Sequence, residues 1–443
     1  MRLVLRSALI SLAGLTLGGL ALAPEVAADG DVMKRADSIA KKVSKLRGLK
    51  RKKPINRGVM DKQQIRKRLI ERVDQEFTPA ELQAEELALK RLRMLAVDAD
   101  YKQLVIDLMT EQIAAFYDPI DQKLYIAKEQ QTGKGGFNDI LMAHEIDHAL
   151  QDQHFDLQRF MKPSKGESDS VVARQALVEG DGTALMFEFM MSKMGMDMPW
   201  ADSRTTDAMI DKMSASMTSG KGKKIPLVLR EGMIFPYMAG LGFVAHFRQH
   251  HPWKRVDAMY KKPPLSTEHI LHPEKYLRYE RPDTVTIGKV AALSEHQLIH
   301  ENVNGEFGLS LILRQHAPGR GQALRTKAAR ATRGWGGDRL GLYTPTDHNG
   351  GLDGTVAILY TVWDGPADAI EFFEMLSDSM GSLSGSATEV ASSDQRVEYR
   401  NAQGQAFLAE RKDDRVVIAL GVRAEMATAI LQDVWKKWKV RRR

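Results

Sequence analysis

The chain has 443 residues, 43% hydrophobic and 27% charged, with a formal net charge of +7 and no cysteine. That length and apolar content suit one large folded domain with a smaller one beside it, and they exclude a chain that is disordered throughout. The missing thiols exclude disulfides, cysteine catalysis, thiolate metal sites and a lipid-modified cysteine, so any metal must be held by His, Asp or Glu.

Arg2 and Arg6 precede an apolar run from Leu9 to Leu22, and Val26-Ala27-Ala28 puts small residues just before Asp29. Residues 1–28 therefore read as a secretory signal cleaved after Ala28, which expects a mature chain in the periplasm or outside the cell. Cleavage after Ala23 would set Pro24 beside the cut, and an uncleaved anchor would need an apolar run of about 20 residues.

Between Lys34 and Arg72, 16 Lys and Arg stand against Asp37, Asp61 and Glu71, so the positive charge of the chain is concentrated there and the rest is acidic in balance. Residues 29–77 read as a basic arm, either a solvated lead-in or a contact for anionic envelope surfaces. No nucleic-acid-binding motif accompanies the charge, and export argues against a DNA or RNA partner.

Order is expected from Thr78, where Thr78-Pro79-Ala80-Glu81 is a capping box with proline in the first turn. Residues 80–95 and 101–114 carry apolar residues at helical spacing, Asp118-Pro119 marks a turn, and Lys123 to Ala127 alternates like a strand. The stretch 132–139 reads as a loop, after which Asn138 or Asp139 caps a helix running to about Gln153.

That helix carries His144-Glu145-Ile146-Asp147-His148. Residues four apart lie on one helical face, so His144 and His148 can offer two imidazoles to one ion. Glu145 lies about 100° round the helix, where it can take a proton from metal-bound water without binding the metal itself. A catalytic zinc needs a third protein ligand. Glu179 sits in a second strong helix at 174–191, among Ala176, Leu177, Val178, Ala184 and Leu185, and a carboxylate in such surroundings is costly unless a partner satisfies it. A metal would satisfy it; the alternative is a Glu that faces solvent. Asp147 and Asp181 are candidates to orient the ligand imidazoles, or are simply solvated.

The pattern H-E-x-x-H followed some 30 residues later by a helix-borne Glu resembles the gluzincin branch of the zincin metallopeptidases. The resemblance implies an α+β, helix-rich zincin-like core with zinc held by His144, His148 and Glu179. It also implies that the strand Lys123 to Ala127 is the edge strand on which an extended peptide would pair. The segments FYDP, AHEIDHALQDQHFDL, ALVEGD, FPYMAGLGFV, STEHILHPEKY and GWGGDR further resemble a group of uncharacterised exported bacterial proteins assigned to the metallopeptidases, over roughly residues 100–440. This chain departs from the best-studied gluzincins at Thr183, four residues after Glu179, where an Asp is common.

A peptidase also uses a donor for the oxyanion of the tetrahedral intermediate. The segment PPLSTEHILHPEKY (263–276) reads as an extended or turning wall, and His272 is the preferred donor, ahead of Tyr276 and Tyr237. Residues 232–247 are strongly apolar but contain Pro236 and are short for a membrane span, so they read as core, as does the Met-rich stretch 186–198.

Farther on, helices are expected at 304–316 and 320–332, and the glycines of GWGGDR read as a tight turn. From 338 the pattern changes to strands at 338–344, 355–363, 396–400, 405–411 and 415–421. Helices at 366–380 and 424–438 and a Ser/Gly loop at 381–394 complete a small α+β unit without catalytic residues. The expected organisation is a signal (1–28), a basic arm (29–77), a zincin-like metallopeptidase domain (78–337) and a C-terminal α+β subdomain (338–443). The expected function is an exported zinc peptidase acting on peptides or proteins. A catalytically silent zincin-framed scaffold and a zinc amidase acting on cell-wall material are the alternatives.

Overall fold

Charge hides an amphipathic helix at the start of the described chain. The computed structural model describes residues 32–128, 136–162, 165–218, 225–347 and 351–443, so the expected signal segment lies outside the described residues. Helix α1 (Val32–Arg47) carries Ala36, Ile39, Ala40 and Val43 on one buried stripe, with Lys41 and Lys45 exposed. The basic segment is therefore not a solvated lead-in. Long cationic side chains keep their heads in water while the apolar stripe packs inward. Strand β1 (Asn56–Met60) and helix α2 (Lys62–Glu76) continue it, and α2 opens with a capping box of Asp61 and Gln64.

The capping box at Thr78 and Glu81 starts α3 (Pro79–Arg91), and Asp100 caps α4 (Tyr101–Gln112). Strands β2 (Ala115–Asp118) and β3 (Lys123–Ala127) form an antiparallel pair, while β1 adds to the other side of β3 in parallel. The order β1-β3-β2 puts β3 in the middle of a three-stranded sheet. This corrects the expectation of β3 as a free edge: both its edges are occupied, and the strand beside the motif helix is β2. The basic segment supplied the unexpected strand.

Helix α5 (Gly136–Phe155) carries the H-E-x-x-H motif, and the short α6 (Leu157–Phe160) follows it. Helix α7 (Ser168–Lys193) carries Glu179 and is buried along most of its length. Its Met-rich end is only partly core, since Met194 and Met196 are about half exposed. Helix α8 (Ser203–Thr218) precedes α9 (Leu227–Arg248). At 22 residues α9 is long and apolar enough to cross a membrane, contrary to the shorter stretch read from sequence, but most of it is buried inside the protein.

Two glycines bring α7 and α9 together. A Cβ at Gly180 would lie 2.2 Å from the carbonyl of Gly240, and one at Gly240 would lie 2.0 Å from the carbonyl of Ala176. The backbones touch, which fixes Glu179 on α7 relative to Tyr237 on α9. Gly240→Ala is expected to lower stability by at least ~3 kcal/mol, the upper part of the usual overpacking range. Gly242→Ala, whose Cβ would meet only Ile210 at 4.0 Å, should be near neutral. Thermal unfolding of the two variants side by side checks the contrast.

The segment 263–276, expected as an extended wall, instead holds two short helices, α11 (Thr267–Leu271) and α12 (Pro273–Arg278), after α10 (Lys254–Met259). Strand β4 (Thr284–Thr286) pairs with the C-terminal β12 (Lys439–Arg441). A seven-stranded antiparallel sheet follows, in the order β5 (His296–Asn302), β6 (Trp335–Pro345), β7 (Val356–Trp363), β11 (Arg415–Arg423), β10 (Gln405–Lys412), β9 (Arg396–Arg400), β8 (Thr388–Ser392). Helices α13 (Gly305–His316) and α14 (Gly321–Thr332) connect β5 to β6.

Three expectations change here. The sheet begins at His296, so a boundary at 338 would cut through β6. Gly336 and Gly337 lie in β6 at a bulge, where a Cβ at Gly337 would meet the Asp283 carbonyl at 2.3 Å, so they permit a close strand contact instead of forming a tight turn. The Ser/Gly stretch 381–394 contains β8. Helix α15 (Pro366–Ser384) covers one face of the sheet in a core continuous with the N-terminal half, and α16 (Ala427–Lys437) covers the other in a smaller core. The fold is mixed α and β, with helix predominating.

Candidate metal centre

Helical spacing and the glycine-mediated crossing bring three donors to one point. Nε2 of His144 and Nε2 of His148 lie 3.0 Å apart, and the carboxylate Oε2 of Glu179 is 3.2 Å from the first and 3.3 Å from the second. Ligands ~2.0–2.1 Å from a tetrahedral ion are spaced by roughly 3.3 Å, so this triangle has the size of one face of such a site. All three side chains are buried, and among the described residues they form the one group of donors close enough to hold a single metal ion. Glu179 keeps its second oxygen, Oε1, buried without a hydrogen-bond partner. A buried acceptor left unsatisfied beside the triangle is what a bound cation would satisfy.

Gly182, one turn from Glu179, makes the approach possible. A Cβ there would fall 2.9 Å from Cε1 of His144 and 3.1 Å from Cε1 of His148. The glycine leaves room for both rings against the helix backbone.

Burial opposes charge on His148, but Glu179 and then Glu145 outweigh it and push its pKa up to about 10. Burial and the neighbouring His148 keep His144 below its usual value. Glu179 is also buried, yet the two histidines hold its carboxyl below the ordinary range. The electrostatics favour positive charge beside the Glu179 carboxylate, and a metal ion would take the place of a proton there.

Glu145 is buried beside these ligands but does not join them. Its Oε2 accepts a hydrogen bond of 2.9 Å from the backbone N–H of Tyr117 in β2, which fixes where the carboxylate points. Burial raises its pKa to about 8, with His148 and the Tyr117 N–H pulling the other way.

Gln151, absent from the sequence reading, orients His148. Its Oε1 lies 2.9 Å from Nδ1 of His148, and its amide donates to Asp147 Oδ2 at 2.9 Å and to the Val178 carbonyl. Asp147 therefore supports a ligand through Gln151 and is not solvated. The spacing of three between His148 and Gln151, one helical turn, was the signal that could have found it. Asp181 is also buried, but its partners are Arg47, in a two-pronged ion pair at 2.7 and 2.8 Å, and the Tyr260 hydroxyl at 2.8 Å. Arg47 is itself wholly buried, stacks over Trp253 and reaches Asp257 at 2.7 Å. The N-terminal helix thus neutralises a carboxylate two residues from a ligand. Thr183 is buried with its hydroxyl unpartnered, so no residue at that position orients a ligand.

The expected oxyanion donor His272 belongs elsewhere. Its Nε2 bonds Glu306 at 2.9 Å, and its charged neighbours are Glu274, Lys275, Glu268 and Arg333. The helical turns at 267–278 direct the ring into that cluster. Tyr276 donates its hydroxyl to the Lys262 carbonyl at 2.8 Å. Tyr237, the third choice, is the one brought to the centre: its ring stacks on His144 with centroids 6.0 Å apart. Burial raises its pKa well above the phenol range, and the Glu179 and Glu145 carboxylates add to the shift.

Residues 295–431 match a family described as a domain of unknown function (DUF8575). The match spans the seven-stranded sheet from just before β5 into α16 and includes none of the metal-centre residues. No curated protein and no solved structure matches the chain.

Proposed function

We propose that this protein is an exported zinc-dependent peptidase with a zincin-like core, in which His144, His148 and Glu179 hold the ion and Glu145 is the general base. The observation that carries the reading is the triangle of donor atoms, 3.0 to 3.3 Å on a side, with a non-ligating buried carboxylate next to it. A site that only stored metal would have no use for Glu145. Bound there, zinc would lower the pKa of its water and polarise a substrate carbonyl.

The side chains supply the rest. Glu145, oriented by the Tyr117 N–H, takes the proton of the attacking water and passes it to the leaving amine. A bound divalent cation is the largest local charge and would draw the Glu145 pKa down from about 8 toward its working range. The Tyr237 hydroxyl, rather than His272, is the donor beside the developing oxyanion. Arg47 and β1 tie the basic segment to the metal helices and to β3.

The test is cleavage of a mixed peptide library by full-length exported protein loaded with zinc. Cleavage that a chelator abolishes and zinc restores is expected. A zinc-replete protein that cleaves no peptide overturns the peptidase reading.

A further inference from the structure

Away from the metal centre, a cleft of about 580 Å³ lies where the end of α3 meets the C-terminal sheet and the start of α9. Clefts of this size between packed units are ordinary places for small ligands. Its lining includes Lys90, Arg91 and Arg93 against a single carboxylate, Asp353. Lys90 is already engaged, with Glu86 at 2.7 Å. Neither arginine has a carboxylate partner among the described residues.

Arg91 is 7% exposed, its Nε has no hydrogen-bond partner, and its guanidinium donates to the backbone carbonyl of Leu352. Among the described residues no carboxylate forms an ion pair with it. Burial lowers its pKa to about 10; Asp353, in the same cleft, counters this in part and neighbouring Arg93 adds to it. The segments 219–224 and 348–350, which adjoin cleft residues in sequence, contain no Asp or Glu. A buried guanidinium without a counter-charge is costly, and such groups are normally paired.

The cleft is also shaped around these two side chains. Arg93 ends helix α3 in the left-handed conformation, φ 51°, a position where glycine is preferred and another side chain is strained. Gly385 and Gly421, both at positive φ, stand directly against the guanidinium groups. A Cβ at Gly385 would meet Nη1 of Arg93 at 2.3 Å, and one at Gly421 would meet Nη1 of Arg91 at 2.7 Å. Beyond the arginines the wall is polar: Ser386 lines it, and Asn401 and Gln405, hydrogen-bonded to each other at 2.9 Å, add amide groups suited to a hydroxylated ligand.

We propose that this cleft binds a phosphate monoester, with Arg91 and Arg93 gripping the phosphate and the polar wall taking the hydroxyl-bearing remainder. Two unpaired guanidinium groups match a dianion better than a carboxylate, and their forked donors suit phosphate oxygens. The cleft holds more than inorganic phosphate alone. The phosphate can come from a soluble ester or from an anionic lipid headgroup, and the site is independent of the metal centre.

The full-length protein is titrated at constant ionic strength with inorganic phosphate, with glycerol 3-phosphate, and with phosphatidylcholine vesicles with and without phosphatidic acid. Binding is read by calorimetry and sedimentation, and thermal unfolding is followed in parallel. Glycerol 3-phosphate should bind more tightly than inorganic phosphate and raise the melting temperature. R93Q, at an exposed position that should not disturb folding, should weaken binding at least ~10-fold, with R93K intermediate and R91M losing it. R93Q-sensitive binding of vesicles containing phosphatidic acid, without binding of the soluble ester, assigns the phosphate to lipid. No binding of phosphate, ester or vesicles, or equal binding by wild type and R93Q, overturns the proposal.

Discussion

Replacing Glu145 with glutamine should lower peptide hydrolysis by at least ~100-fold, the usual scale for loss of a general base. Zinc content and melting temperature should stay near those of wild type. The substitution keeps the size of the side chain and its acceptor for the Tyr117 N–H, which now holds the carboxylate at 2.9 Å. It removes the group that takes a proton from water and hands it on. Glu145 is not one of the three converging donors, so the metal should remain. Burial of the carboxylate also disfavours its charged form, so glutamine should not destabilise the fold. Steady-state rates on a library-selected peptide, beside elemental analysis of the same preparations, check this. A variant that cleaves as fast as wild type would show that the base lies elsewhere, even with zinc bound.

His148→Ala and Glu179→Gln should each lose most of the one metal ion expected per chain. Disturbing a residue that merely orients a ligand costs ~10–100-fold in metal affinity, so removing a ligand should cost more than ~100-fold. The two variants differ in stability. His148→Ala leaves Glu179 buried without one of its two imidazole partners, His144 staying at 3.2 Å, and opens a cavity beside Gln151. Glu179→Gln removes the charge itself and should be the milder change. Elemental analysis after dialysis against a weak chelator reads the loss, and full zinc in both variants would rule out the ligand set.

The metal centre was legible to the extent that it is written in local spacing. His144 and His148 share a face because a helical turn is 3.6 residues, and Glu179 stood out as a carboxylate in an apolar helix. Gln151 was within reach of the same spacing argument. Arg47 was not: it meets Asp181 across 134 residues of chain, and nothing local distinguishes it from the 15 other basic residues of its segment. The same charge density concealed the buried stripe of α1 and the pairing of β1, so β3 was read as an edge. Side-chain aim across the fold was equally hidden. Tyr237 and His272 were similar candidates in sequence, and only the α7–α9 crossing and the turns at 267–278 send one to the metal ligands and the other to Glu306. In the C-terminal half, short apolar strands such as Gln405–Lys412 were clear, whereas the glycines of β6 resembled a turn because the contact that Gly337 permits, with Asp283, is 54 residues away.

The most direct test is a crystal of the zinc-loaded, full-length protein with diffraction collected on both sides of the zinc absorption edge. One anomalous peak bonded to Nε2 of His144, Nε2 of His148 and the Glu179 carboxylate, with the Glu145 carboxylate nearby but unbonded, is the predicted result. An anomalous peak at other residues, or none at this triangle in protein that carries zinc by elemental analysis, would contradict it.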